Sequence, residues 1–204
     1  MVAAKKIAVL DYGIGNLRSA QKGLQKVGAD ARLTADPAEI EAADGVVLPG
    51  VGAFGACMKA LAETGLDHQA KVAAESGRPF LGICVGMQLI FDGSEETPGV
   101  AGLGILPGTV RRLPKGVKHP QMQWNQIEQC RAHPLLDGLD GEWLYFVHSY
   151  AAVPDDHEQI LARVDYGGPV VAAVGTGTIM ATQFHPEKSA AAGLRLLSNF
   201  ASLL

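Results

Sequence analysis

Residues 79–91 read PFLGICVGMQLIF. The run from Pro79 to Gly86 is apolar and of strand length, and Met87, Leu89 and Ile90 follow at once at helical spacing. Gly82 and Gly86 flank Cys84 at two residues on either side. This G-x-C-x-G pattern is that of a strand-to-helix elbow, in which the central residue sits in a strained turn and its neighbours must be small for strand and helix to approach. The same unit recurs upstream. KIAVLD (Lys6 to Asp11) stops at Tyr12-Gly13-Ile14-Gly15, after which Leu17, Ala20, Leu24 and Val27 return at helical spacing. A second strand is expected at Ala31 to Thr34, and a third, GVVLPG (Gly45 to Gly50), precedes a helix carrying Phe54, Met58 and Leu61. Strands that are apolar throughout are buried on both faces, so βα repetition of this kind predicts an α/β fold, a parallel sheet doubly wound with helices.

Beyond Gly93 the strands shorten. ILPGTVRRL, WNQIEQC, WLYFVHSY and QILARVDY, then VVAAV and IMATQFH joined by GTGT, read as a mainly antiparallel extension of the same sheet. A last helix from about Ala190 to Leu204 is expected to turn Leu194, Leu197 and Phe200 inward. With no linker, repeat or low-complexity stretch, the 204 residues are read as one domain spanning 1–204. Hydrophobic residues make up 48% and charged residues 19%, a globular balance that excludes disorder and fibres. Seventeen Lys and Arg against 21 Asp and Glu give a net charge of −4 with the basic residues scattered, so a nucleic-acid partner is not expected. No apolar run reaches the roughly 20 residues of a membrane span, and Asp11 interrupts any signal-peptide core, so the reading is cytoplasmic. Three widely spaced cysteines suit a reducing compartment and form no C-x-x-C metal pair.

Cys84 at an elbow is a candidate nucleophile, and a helix N-terminus beneath the sulfur favours thiolate. A buried cysteine between two packing glycines is the alternative. A thiol nucleophile needs a base, and His185 in QFHPE (183–187) has the best context, with Glu187 two residues on to hold one ring nitrogen and Pro186 keeping His185 extended. A plain strand-end histidine reads the same way, and His68, His119, His133, His148 and His157 compete. Val85 N–H, next to the nucleophile, supplies one oxyanion donor, and the turn Pro49-Gly50-Val51-Gly52 could bring a second from Val51 or Gly52. That turn is equally an ordinary glycine-rich βα connection. Gln88, one helical turn beyond Cys84, either faces the same cleft or is solvated. Gly13-Ile14-Gly15 lacks the third glycine of a dinucleotide fingerprint, Arg18 standing in its place. Cys57 and Cys130 have no base nearby and are read as structural.

GICVGMQ and QFHPEKS resemble the two signatures of the class I, triad-type glutamine amidotransferases, which hydrolyse the glutamine side-chain amide and pass ammonia to a synthase. DYGIGNLRS (11–19), PGVGAF (49–54), YFVHSY (145–150) and Lys188 narrow the resemblance to the branch that serves imidazole glycerol phosphate formation in histidine biosynthesis, and it runs from Asp11 to the last helix. The resemblance implies a flavodoxin-like fold, a catalytic triad of Cys84, His185 and Glu187, and L-glutamine held by Gln88, His148, Ser149 and Tyr150. It also implies no cofactor or metal, and a heterodimer with a (β/α)8-barrel cyclase that meets Asn16, Arg18, Trp124, Asn125, Tyr145 and Lys188. One departure is Met122-Gln123-Trp124-Asn125, where the family has Gly before Trp-Asn. The alternatives are a glutaminase of the anthranilate or pyridoxal phosphate pathway, a non-catalytic regulatory module on the same fold, and a cysteine peptidase-like hydrolase.

Overall fold

The computed structural model describes residues 4–14 and 17–204. Asn16 therefore lies outside the described residues. In chain order, β1 (Lys6–Leu10), α1 (Leu17–Lys26), β2 (Asp30–Thr34), α2 (Pro37–Glu41), β3 (Gly45–Gly50), α3 (Phe54–Thr64), α4 (Leu66–Glu75), β4 (Phe80–Cys84) and α5 (Val85–Leu89) form the expected βα repetition. They are followed by β5 (Gly93–Ser94), β6 (Gly108–Arg112), β7 (Gln121–Gln126), β8 (Glu128–Gln129), β9 (Trp143–His148) and β10 (Tyr150–Pro154). The chain ends with β11 (Ile160–Asp165), β12 (Pro169–Thr176), β13 (Ile179–Thr182) and α6 (Ala190–Ser202).

The main sheet runs β2-β1-β3-β4-β13-β12-β11-β8. Strands β2 to β13 in that order are parallel, and the remaining pairings are antiparallel. Strands β3 and β4 are buried at every position, which is why they carry no polar alternation. From β1 the chain crosses to β2 through α1 and then, on the other side of β1, from β3 to β4 through α3 and α4. With right-handed crossovers the two sets of helices cover opposite faces. The contacts agree: α1 packs with α6, and α4 with α2 and α3.

The expected extension of the same sheet holds for β8, β11, β12 and β13, the last lying parallel to β4. Strands β10, β6 and β5 form a separate three-stranded sheet, and β7 pairs with β9 alone. The reason lies in the side chains. QMQWNQ of β7 is exposed at most positions and would bury amides inside a sheet covered on both faces. In α6 the inward residues are Leu196, Leu197 and Phe200, while Leu194 is only half-buried, a shift of one position around the helix. Cys130 is exposed, unlike the structural cysteine expected there, whereas Cys57 is buried. No helix among the described residues is long and apolar enough to cross a membrane.

Candidate active site

The register of the main sheet brings the carboxyl ends of three strands together: Gly50 of β3 pairs with Cys84 of β4, and Thr182 of β13 with Ile83. In open α/β sheets the carboxyl edge is where ligands bind. Cys84 has φ 55 and ψ −111, a strained backbone for a residue with a side chain, and its sulfur sits at the head of α5. The flanking glycines are required. A Cβ on Gly86 would lie 1.8 Å from the Leu48 carbonyl oxygen, and one on Gly82 would lie 3.0 Å from the Gly86 oxygen. Helix α5 has only five residues, so its dipole contributes less to the thiolate than the sequence pattern suggests.

One cavity of about 360 Å3 is lined by Cys84, Val85, Gln88, Val51, Gly52, His148, Ser149, Tyr150, His185 and Lys188. Thus the residues expected to act as nucleophile, base, oxyanion donors and substrate contacts share a single space. Glu96, Pro120 and Val147 also line it and were not anticipated. Glu96 carries an ionic group into the cavity wall, with one oxygen accepting from Phe54 N–H at 2.7 Å at the start of α3. Half-buried and part of no motif, it gave no signal to read.

Behind the cavity, His185 Nδ1 lies 2.8 Å from Glu187 Oε1, and both side chains are buried. His185 has φ −100 and ψ 95, the extended geometry that Pro186 imposes. Its position is clamped from β9: His185 N–H donates to the Tyr145 carbonyl, while the Ser189 hydroxyl donates to the His185 carbonyl and accepts from Tyr145 N–H. An edge-to-face pair of Phe146 and Phe184, with centroids 5.6 Å apart, packs behind this clamp. Burial pulls the His185 pKa down, but the nearby Cys84 sulfur and the hydrogen-bonded Glu187 carboxylate outweigh it and carry the group to about 9. A buried carboxylate whose second oxygen has no partner among the described residues, as in Glu187, is tolerable when the imidazole beside it is charged.

Gln88 is buried and not solvated. Its amide nitrogen donates to the Tyr150 carbonyl at 2.9 Å and to Gln183 Oε1 at 3.1 Å. His148 Nδ1 donates to the same carbonyl at 2.8 Å, so its Nε2 carries a lone pair, and burial lowers its pKa to about 4. Of the residues expected to face a partner, Tyr145 stands 6.4 Å from His185 between ring centroids, and Trp124 packs edge-on against Tyr145. Lys188 reaches the cavity wall. Asn125 instead ties β7 to the end of β11 through the Asp165 carbonyl, and Arg18 is exposed in the first turn of α1, away from the cavity lining.

These two histidines set a pH dependence of stability with opposite signs. The folded state holds the His185 proton more tightly than the unfolded chain, so that stabilisation is full below about pH 6.5 and is lost as pH rises through 9. His148 resists protonation when folded, so stability also falls as pH drops from about 6.5 to 4. Melting temperature is expected to peak between the two windows, and Glu187→Gln should flatten the alkaline limb alone. An alkaline limb of unchanged slope in Glu187→Gln would remove His185 as its cause.

The glutamine amidotransferase class-I family model matches residues 8–203. The chain is 52% identical to imidazole glycerol phosphate synthase subunit HisH of Syntrophotalea carbinolica, over 97% of this chain and 100% of the relative. It is 50% identical to the HisH subunit of Methanothermobacter thermautotrophicus, over 97% and 98% of the two chains. Among solved structures, PurLQS from Thermotoga maritima superposes with a TM-score of 0.79 at 18% identity, covering 98% of this chain and 99% of that one. A crystal structure of a glutamine amidotransferase gives a TM-score of 0.76 at 22% identity over 96% and 98%. At such identities the structures speak to fold alone, while identity near one half along the full length of the sequence relatives narrows the family to one branch. The chain belongs to the class-I glutamine amidotransferases and, within them, to the HisH subunits of imidazole glycerol phosphate synthase, the glutaminases of histidine biosynthesis.

Proposed function

We propose that this chain hydrolyses L-glutamine through Cys84, His185 and Glu187 and delivers the ammonia to a (β/α)8-barrel cyclase. The observation that carries the reading is the strained elbow placing Cys84 in one cavity with a histidine whose far nitrogen is held by a buried carboxylate. With its pKa raised to about 9, His185 is protonated at neutral pH. The sulfur then attacks the side-chain carbonyl of glutamine, and Val85 N–H and the Val51–Gly52 backbone receive the developing oxyanion. His185 already holds the proton that the departing nitrogen needs, so ammonia leaves neutral. Once the sulfur is tied up as a thioester, one of the charges that raised the His185 pKa is gone. The imidazole is then a competent base for the water that releases glutamate and frees the Cys84 sulfur, and His185 regains its proton. Gln88, His148, Ser149 and Tyr150 hold the substrate's α-amino and carboxylate end.

The docking face is supported by exposure. Met122, Trp124 and Trp143 are 62%, 43% and 53% exposed on the β7–β9 ribbon, a cluster of large apolar side chains beside the Tyr145 and Lys188 rim. A partner seated there would exclude water from the cavity mouth, which matters because ammonia lost to water is protonated and no longer nucleophilic. The test is a coupled assay of glutamate release and cyclised product with the barrel subunit present. Wild type should give one glutamate per product, and Tyr145→Ala or Lys188→Ala should release glutamate in several-fold excess. One-to-one stoichiometry in both variants would remove these side chains from the seal, and no glutamate from wild type would sink the whole reading.

A further inference from the structure

Gln183 lies at the end of β13, fully buried, with its side chain engaged at both ends. Its amide nitrogen is 3.8 Å from Cys84 Sγ, within range of an N–H···S hydrogen bond, and its oxygen accepts from Gln88 Nε2 at 3.1 Å. Gln88 Nε2 also donates to the Tyr150 carbonyl, so both of its amide hydrogens are used. A carboxamide cannot exchange its ends without breaking this pattern. Were Gln183 flipped, an oxygen would face the sulfur and a nitrogen would face the nitrogen of Gln88. The polarity is therefore set by the Tyr150 carbonyl, which can only accept, and is passed through Gln88 to Gln183 and on to the nucleophile.

We propose that the Gln183 carboxamide stabilises the Cys84 thiolate by donating to it and, through its oxygen, holds Gln88 with its own oxygen free for substrate. One neutral side chain thus serves the nucleophile and the substrate-holding amide together. It does so without competing for the proton, because an amide N–H does not ionise in the working range. Hydrogen bonds to charged groups are the stronger class, and even a long one to sulfur shifts the thiol–thiolate balance measurably. A carboxamide in this place also adds no charge beside His185, whose proton a second carboxylate would hold back from the leaving nitrogen.

This inference rests on Cys84 being the nucleophile, and the test separates the two. Alkylation by iodoacetamide, followed residue by residue with peptide mass spectrometry, reports thiolate at Cys84 with the exposed Cys130 as an internal reference. In wild type at pH 7 Cys84 should react faster than Cys130. If it does not, the catalytic reading itself fails. Gln183→Met should slow Cys84 alkylation about tenfold at pH 7, with the two rates converging at strongly alkaline pH where the thiol is ionised in both proteins. Gln183→Glu keeps an acceptor for Gln88 but loses the donor to sulfur. It should therefore lower kcat in the coupled assay while KM for glutamine stays near wild type, whereas Gln183→Met should raise KM as well.

Should either variant not fold, the wild-type protein still decides the matter. The Gln183 side-chain amide protons, followed by 15N-resolved NMR, should shift with pH in step with Cys84 reactivity and stop doing so in Cys84→Ala. Wild-type alkylation rates in a folded Gln183→Met, or amide protons blind to the state of Cys84, would reduce Gln183 to a packing residue.

Discussion

Cys84→Ala is expected to abolish glutamine-dependent synthesis while leaving ammonia-dependent synthesis by the partner intact. The expected loss is at least about 10⁴-fold in kcat, the scale seen when a covalent nucleophile is removed and only binding and oxyanion donors remain. The substitution keeps the Cβ and removes only a sulfur that faces the cavity, so no core void forms. Backbone strain at φ 55 is the same for Ala as for Cys, and melting temperature should move by no more than a few degrees. The companion experiment uses a diazo-ketone analogue of glutamine on wild type. It should label Cys84 and spare both Cys57, which is buried, and Cys130, which is exposed. Because Cys130 has the better access, preferential labelling of Cys84 reports chemistry rather than exposure. Retention of more than a trace of glutaminase activity in Cys84→Ala would remove the thioester from the mechanism.

The first half of the fold was legible because parallel strands buried on both faces appear as unbroken apolar runs, and GVVLPG and PFLGIC contain nothing else. The second half was not, because period-two patterning tells which face of a strand is buried and is silent on which strand lies beside it. Strand β13 enters the main sheet next to β4, about a hundred residues away in sequence, and no local pattern encodes that neighbour. The site divided along the same line. Cys84, His185 and Glu187 are chemically distinctive residues held by sharp turn motifs. Glu96 and Pro120 reach the cavity through tertiary folding alone, and Val147 and Gln183 were quoted inside motifs without a role. An amide at a strand end carries no chemical signature until its two partners are seen.

Gly52→Ala is expected to cut kcat for glutamine hydrolysis by about 10²–10³, the usual cost of one oxyanion donor, with a small effect on KM and on partner affinity. Gly52 has φ +108, a conformation that L side chains rarely adopt, yet among the described residues a Cβ there would meet nothing nearer than the Ile14 side chain at 4.0 Å. The substitution therefore acts through the backbone and not through a clash. Gly50 behaves differently from what free rotation about two flanking glycines suggests. Its φ is not in the left-handed region, and a Cβ on it would lie 2.8 Å from the Tyr12 hydroxyl and 2.9 Å from Gly86 N, so Gly50→Ala would push on the elbow itself. From below, the turn is held by Tyr12, whose hydroxyl donates to the Pro49 carbonyl at 2.7 Å, and by the Cys57 thiol, which donates to the Val51 carbonyl at 3.5 Å. A trans peptide points its N–H opposite to its C=O, so the bond from Cys57 directs Gly52 N–H away from α3. The φ of Gly52 is one of the two torsions about which this peptide turns. A glutaminase running without its synthase would waste glutamine, and reorienting that one peptide on docking would supply the control. The isolated chain should therefore turn over at least about a hundredfold more slowly than the complex, and Gly52→Ala should hold the complex near the isolated rate. Steady-state kinetics of both proteins, with and without the barrel subunit and its substrate, decide the matter. An isolated wild-type chain already at the rate of the complex would leave no conformational step for the partner to control.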